Sequence, residues 1–110
     1  MAKILFSPLA NNDLNSIRDY ILKDLNSPKA SENTISKIIK SIKILEQFPL
    51  SGSMLENVVD IANDYRFVVS GNYISFYRYI DDAIYIDRIL YGGRDYVRRL
   101  FGDILNSVGE

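Results

Sequence analysis

The stretch YRFVVSGNYISFYRYIDDAIYIDRILY, residues 65–91, decides the fold. It gathers β-branched and aromatic residues into three runs, Tyr65-Arg66-Phe67-Val68-Val69, Tyr73 to Ile80, and Ala83 to Tyr91. Runs of this kind read as strands, because such side chains fit a pleated, half-buried surface. The breaks at Ser70-Gly71-Asn72 and Asp81-Asp82 have turn composition, so a three-stranded antiparallel meander is expected. If Asp81-Asp82 is a two-residue turn, Tyr77 and Tyr79 share a face with Ile84 and Ile86. Arg78 and Asp87 then meet as diagonal neighbours on the other face.

Upstream of the meander the period changes from two to about 3.6. Ser7-Pro8 is an N-cap followed by a proline at the first helical position, where a missing N–H costs nothing. Ala10, Leu14, Ile17, Ile21 and Leu25 follow on one face. Ser27-Pro28 repeats the start signal, and Ile35, Ile38, Ile42 and Leu45 form the next stripe, with Ile39 beside it. So short a connection imposes an antiparallel helical hairpin. Phe48-Pro49-Leu50-Ser51-Gly52 ends the second helix, since the residue before a proline is pushed out of helical geometry. Residues 53–63 carry no period and read as a loop. Residues 3–7 read as an edge strand. Gly92-Gly93 ends the last strand, and Asp95 to Phe101 reads as a short final helix stopped by Gly102. The expected fold is therefore α+β: one domain over residues 1–110, with an N-terminal edge strand and an antiparallel two-helix hairpin packed on an antiparallel β-sheet, and a short C-terminal helix.

Composition limits the chemistry. In 110 residues there are 13 Lys or Arg, 14 Asp or Glu, no histidine and no cysteine. That excludes a zinc site of the usual kind, a thiol nucleophile, a disulfide framework and an imidazole base. No cofactor or metal is expected. Asp81 and Asp82 diverge at a hairpin tip with no third ligand nearby in sequence, so a local turn role accounts for them better than a cation site. No apolar run approaches the ~20 residues of a membrane-spanning helix, and a proline at position 8 comes too early for a signal peptide, so a cytoplasmic protein is expected.

Two basic groupings remain. Lys37, Lys40 and Lys43 load the later half of the second helix, where the macrodipole favours cations, and read as a solvated face. Seven of the 13 basic residues are arginine, and six of those (Arg66, Arg78, Arg88, Arg94, Arg98 and Arg99) follow Pro49. Arginine suits recognition of carboxylate or phosphate. Arg78 and Arg88 could equally be structural partners of Asp87 or Asp82. The tail Arg94-Asp95-Tyr96-Val97-Arg98-Arg99-Leu100-Phe101 is rich in interface-prone residues. Five tyrosines between Tyr73 and Tyr91 suit strands, and without a basic excess they do not read as base-stacking platforms.

The sequence resembles the RelE/ParE superfamily of toxins from bacterial type II toxin–antitoxin systems. The resemblance rests on Phe6-Ser7-Pro8-Leu9-Ala10, on Phe48-Pro49-Leu50-Ser51-Gly52, and on the order and spacing of Gly71 to Arg78, Asp81-Asp82 and Arg88-Ile89-Leu90-Tyr91-Gly92-Gly93-Arg94-Asp95. It is closest to the ParE branch. That branch implies a growth inhibitor that poisons DNA gyrase, a role in plasmid stabilisation, and a cognate ParD-like antitoxin that wraps the toxin in a hetero-oligomer. It implies no membrane partner and no sequence-specific DNA binding by this chain alone. RelE-like members instead cut messenger RNA on the ribosome. They carry a catalytic arginine where Ile74 follows Tyr73 here, and isoleucine cannot stabilise a developing charge. The absence of histidine and a sequence pI of about 5.4 also point away from docking on ribosomal RNA. The resemblance places toxicity on Arg66, Tyr91, Arg94, Arg98, Arg99 and Phe101, with no catalytic residues. The alternative, a ribosome-dependent endonuclease, would use Arg66, Arg78, Tyr91 and Arg94. A third reading is a non-toxic relative that only binds an antitoxin. An antitoxin groove is expected along the helical hairpin and the exposed sheet edge.

Overall fold

A computed structural model describes residues 1–57 and 63–92. Strand β1 (Lys3–Phe6) leads into helix α1 (Pro8–Asp24) and then helix α2 (Pro28–Lys43), which a 3-10 turn extends over Ile44–Glu46. Strand β2 (Ser53–Met54) and a second 3-10 turn (Leu55–Asn57) precede the meander of β3 (Arg66–Ser70), β4 (Tyr73–Ile80) and β5 (Ala83–Tyr91). The class is α+β, as expected. The two helix starts are built as their sequences dictate: the Ser7 and Ser27 hydroxyls accept the N–H of Ala10 and Ala30 at 2.9 and 3.1 Å.

The five strands form one sheet in the order β1-β5-β4-β3-β2. Two features correct the sequence reading. First, β1 lies parallel to β5, with Lys3 opposite Ala83 and Phe6 opposite Ile86, so the sheet is mixed rather than antiparallel. Antiparallel pairing is enforced by tight turns, and these two strands are joined by the whole helical hairpin and meander, which leaves direction free. Second, residues 53 and 54 pair with Phe67 and Arg66 as a strand too short to show a period. The expected C-terminal helix, Asp95 to Phe101, lies outside the described residues.

The Asp81-Asp82 turn forms as expected, with Tyr77 opposite Ile86 and Tyr79 opposite Ile84. Both aspartates adopt positive φ, 52° and 64°, the conformation of a two-residue hairpin turn. Both helices cover one face of the sheet, where Ala10, Ile17, Ile21, Ile38, Ile42 and Leu45 meet Tyr77, Ile84, Ile86 and Ile89. Leu25 and Ile39, read as part of the helical stripes, are exposed; Leu25 stands past the last turn of α1 as its C-cap. The opposite face carries a smaller cluster of Leu55, Tyr65, Phe76 and Leu90.

The register of β5 against β4 slips at one place: Tyr77 pairs with Ile86 but Phe76 pairs with Arg88, so Asp87 is an extra, bulged residue. Strict alternation from Ile84 and Ile86 would carry Arg88 and Leu90 to the helix side. The bulge brings Ile89 there instead and sends Leu90 to the opposite cluster. β1 has ended by this point, so the outer edge of β5 is open, and α1 closes it with side chains. Ser7 donates its N–H to the Ile86 carbonyl at 3.0 Å and its hydroxyl to the Asp87 carbonyl at 2.8 Å. The Asp13 carboxylate then accepts the Ile89 N–H at 2.9 Å and two bonds from the Arg88 guanidinium, both at 2.8 Å. Arg88 is 3% exposed and Asp13 9%.

Removing either side chain leaves the other buried without its charge partner, which typically costs about 3–5 kcal/mol. Asp13→Ala should therefore unfold in urea with a loss of about that size, a large share of a domain's ~5–15 kcal/mol. The pair Asp13→Leu with Arg88→Met should lose less than the sum of the singles. Additive losses would show that the two groups are energetically independent.

Candidate functional site

The residues singled out from sequence fall into separate settings. Arg66 opens β3, where it pairs with Tyr77 and so shares its face of the sheet. Its guanidinium Nη1 donates to the carbonyls of Gly52 at 2.9 Å and Leu50 at 3.2 Å. Tyr77 holds the same loop: its hydroxyl accepts the Gly52 N–H at 3.0 Å and donates to the Pro49 carbonyl at 2.7 Å. A β-carbon on Gly52 would come within 2.5 Å of the Tyr77 hydroxyl and 2.9 Å of the Phe67 carbonyl, so this close approach requires glycine. The Phe-Pro-Leu-Ser-Gly phrase is thus a loop docked onto the sheet by a buried tyrosine and an arginine. Burial raises the Tyr77 phenol above its ordinary pKa, opposed by the Gly52 N–H and the Arg66 charge.

Arg78 follows Tyr77 and points to the other face. Its Nε donates to the Asp87 carboxylate at 2.7 Å, the partnership expected from the hairpin register. Its guanidinium carbon also stands 5.6 Å from the centre of the Tyr65 ring. Burial lowers the Arg78 pKa, but the Asp87 hydrogen bond and charge outweigh it and hold the guanidinium above its usual range. The Tyr65 phenol is pushed well up, first by burial and then by the Asp87 charge. Arg88, expected beside Asp87 or Asp82, binds Asp13 of α1 instead.

Tyr91 lies at the far end of the sheet. It pairs with Tyr73, their rings edge to face with centroids 6.1 Å apart, and it is 59% exposed. On this face Tyr73 and Tyr77 are four residues apart along β4, so Arg66 and Tyr91 are separated by roughly 13 Å of strand. Arg66, Arg78 and Tyr91 therefore do not converge on one reacting centre. Arg94, Arg98, Arg99 and Phe101 lie outside the described residues.

What the structure does assemble around Tyr91 is a groove of about 770 Å³ between α1 and the adjoining ends of β4 and β5. Ile17, Tyr20 and Ile21 of α1 form one wall, and Tyr73, Ile89 and Tyr91 form the other. Burial raises the Tyr73 phenol, followed by the proximity of Tyr20 and Tyr91. Phenol rings along an apolar trough suit an amphipathic partner rather than an ion. Sequence reading passed over Tyr20, 54% exposed on a helix whose other side chains explained themselves. It also passed over Asp13, although a carboxylate set between Ala10 and Ile17 on a buried stripe signals a cationic partner elsewhere. Among the described residues no group of three or more acidic side chains is placed to hold a metal.

The model of the family described as the ParE toxin of the type II toxin–antitoxin system, parDE, matches residues 4–96. This chain belongs to the ParE toxin family. A solved structure described as the chromosomal ParDE TA system from P. aeruginosa overlays with a TM-score of 0.71 at 21% identity, covering 84% of this chain and 98% of that one, and shows the shared fold. Among curated proteins none matches the sequence. For this ParE-family toxin the docked loop and the bulge are features of the scaffold, and the tyrosine groove is an open apolar surface between α1 and the sheet.

The loop clamp yields a stability prediction. Tyr77→Phe deletes one hydroxyl and leaves the Gly52 N–H and Pro49 carbonyl without it, a loss of about 1–3 kcal/mol in denaturant unfolding. Gly52→Ala should cost at least as much, since the backbone carbonyl of Phe67 cannot step aside. If both variants unfold like the parent, the loop is not held by these contacts.

Proposed function

We propose that this ParE-family toxin inhibits growth in the bacterial cytoplasm by binding DNA gyrase, and that a ParD-type antitoxin neutralises it. The observation that carries the reading is the scattering of Arg66, Arg78 and Tyr91. Acid–base cleavage of RNA needs its groups within hydrogen-bond reach of one reacting phosphate. Here one arginine is tied to a loop, the second faces the other side of the sheet in an ion pair, and the tyrosine stands at the sheet's far end. A chain with this layout and no histidine acts by occupying a target.

The tyrosine groove supplies the antitoxin surface in this reading. An amphipathic helix laid against α1 would place apolar anchors on Tyr20, Tyr73 and Tyr91, a recurring mode of peptide recognition. Tyr91 stands just before Gly92-Gly93 in the chain, and the residues assigned to target binding in this reading are Arg66, Tyr91, Arg94, Arg98, Arg99 and Phe101. An antitoxin seated on Tyr91 would compete with the target, which is how neutralisation follows from one surface.

Two assays on one preparation test this. Purified toxin should abolish gyrase supercoiling and leave messenger intact in a translating extract; ribosome-dependent cleavage with normal supercoiling would overturn it, and so would inactivity in both. Truncation after Gly93 should abolish growth inhibition and preserve co-purification with the antitoxin. Tyr20→Asp should fold normally, since Tyr20 is half exposed, and should bind the antitoxin about tenfold or more weakly, ~1.4 kcal/mol, by calorimetry. Unchanged affinity would remove the groove from the interface.

A further inference from the structure

A second surface lies on the other flank of the molecule and shares no lining residue with the tyrosine groove. β2 pairs with β3 only at Phe67 and Arg66, so β3 runs on to Ser70 with no outer neighbour among the described residues. Ser70 and Tyr73 flank the two-residue Gly71-Asn72 turn, which makes them a hydrogen-bonded pair. By alternation Val68 and Arg66 also turn their main-chain groups toward β4, while Phe67 and Val69 turn theirs outward. Phe67 meets Ser53 there. Val69 presents its N–H and C=O past the end of β2.

Alongside this open position is a pocket of about 400 Å³, between Ser41 of α2 and Ile44 of the 3-10 turn that extends it, Gly52 and Ser53, and Val68 and Val69 of β3. Val69 is 58% exposed and Ile44 57%, so an apolar lip borders a free donor and acceptor. The edge itself, Val68-Val69-Ser70, has none of the charges, prolines or bulges that usually block strand addition.

Charge defines what fits. Residues 33–45 contain no acidic side chain, and Lys37, Lys40 and Lys43 are all exposed. Lys37, Ser41 and Ile44 fall at i, i+4 and i+7, so Lys37 stands in line with the pocket wall, and Lys40 is its neighbour on that face. Gly52, on the opposite wall, takes the Arg66 guanidinium on its carbonyl. Among the described residues the ion pairs are Arg78–Asp87 and Arg88–Asp13, so none of these four cations has a carboxylate. In a chain of net charge −1, this flank is a local excess of positive charge.

We infer that the open edge of β3, together with the lysine-bearing flank of α2, binds an extended acidic segment of a partner protein by adding it to the sheet as a strand. A peptide backbone offers both the acceptor that the Val69 N–H needs and the donor that its C=O needs. A phosphate backbone offers acceptors alone. Alternating side chains of the added strand would place acidic groups on the helix side, toward Lys37 and Lys40, and apolar groups on the opposite side, beside Val69. The inference concerns this flank and does not depend on gyrase being the target.

The test titrates the full chain, labelled for NMR, with a short capped peptide alternating glutamate and valine, and with its lysine-valine counterpart. The acidic peptide should give saturable amide shifts centred on Val69 and Gly52-Ser53, weakened by salt. The triple variant Lys37→Glu, Lys40→Glu, Lys43→Glu should lower its affinity about tenfold or more. Val69→Pro, which removes the outward N–H without touching the ladder to β4, should abolish the shifts. No saturable shift at millimolar peptide, equal binding of the lysine peptide, shifts confined to Tyr20 and Tyr91, or tighter binding of a single-stranded oligonucleotide at the same residues would each overturn the inference. The charge variant keeps the test decisive if the proline variant fails to fold.

Discussion

The Asp13 carboxylate is the interaction on which the rest of the architecture depends. It stands where β1 has ended and the outer edge of β5 would otherwise face the helix layer with an unpaired N–H. A water-exposed edge could leave that group to solvent, but this one is under α1. Asp13 satisfies it and neutralises Arg88 with the same two oxygens, tying the first helix to the last strand across 75 residues of sequence. Ser7 does the equivalent one step earlier, capping α1 while its hydroxyl closes on the bulged residue. The helix start, the end of β1 and the bulge in β5 are therefore one junction. Its contacts are polar and directional, which fixes how α1 sits on the sheet more tightly than isoleucines alone would.

A second junction fixes the other end of the sheet. Tyr77 and Arg66 hold main-chain groups of residues 49–52, and Gly52 has no side chain because the tyrosine ring lies where one would be. These two anchor points leave different surfaces open. Near the first, α1 and the ends of β4 and β5 diverge into the tyrosine groove. Near the second, the docked loop delivers only a two-residue β2, so the edge of β3 stays partly uncovered beside α2. In both cases the open surface results from where a stabilising contact ends the regular structure.

The arginines illustrate how tertiary context assigns roles that residue type cannot. Arg66, Arg78 and Arg88 look alike in sequence, yet one clamps a loop, one pairs across a hairpin and one is buried against a helix. Only the second was legible, because the two-residue turn fixes which residues of β4 and β5 are neighbours. The Asp13–Arg88 pair was not, since nothing local relates position 13 to position 88. The near-neutral composition likewise hides an uneven distribution along the chain: no acidic residue falls between Glu32 and Glu46, the stretch that carries Lys37, Lys40 and Lys43.

Sequence alone determined the elements whose causes are local. Both helix starts follow from Ser-Pro caps, the meander from alternating runs between turn residues, and the α+β class from their order. The phrases that resembled the ParE branch belong to a chain whose family model spans residues 4–96. Only the tertiary structure decided what depends on partners far apart in the chain: the parallel β1, the two-residue β2, the bulge at Asp87, the buried Asp13–Arg88 pair, and the groove that joins Tyr20 to Tyr73 and Tyr91. The physical reason is the same for each. Periodicity and turn chemistry act over a few residues, whereas strand direction at an edge, the slip of a ladder and the pairing of a buried charge are set by whichever distant backbone or side chain satisfies the hydrogen bonds left over.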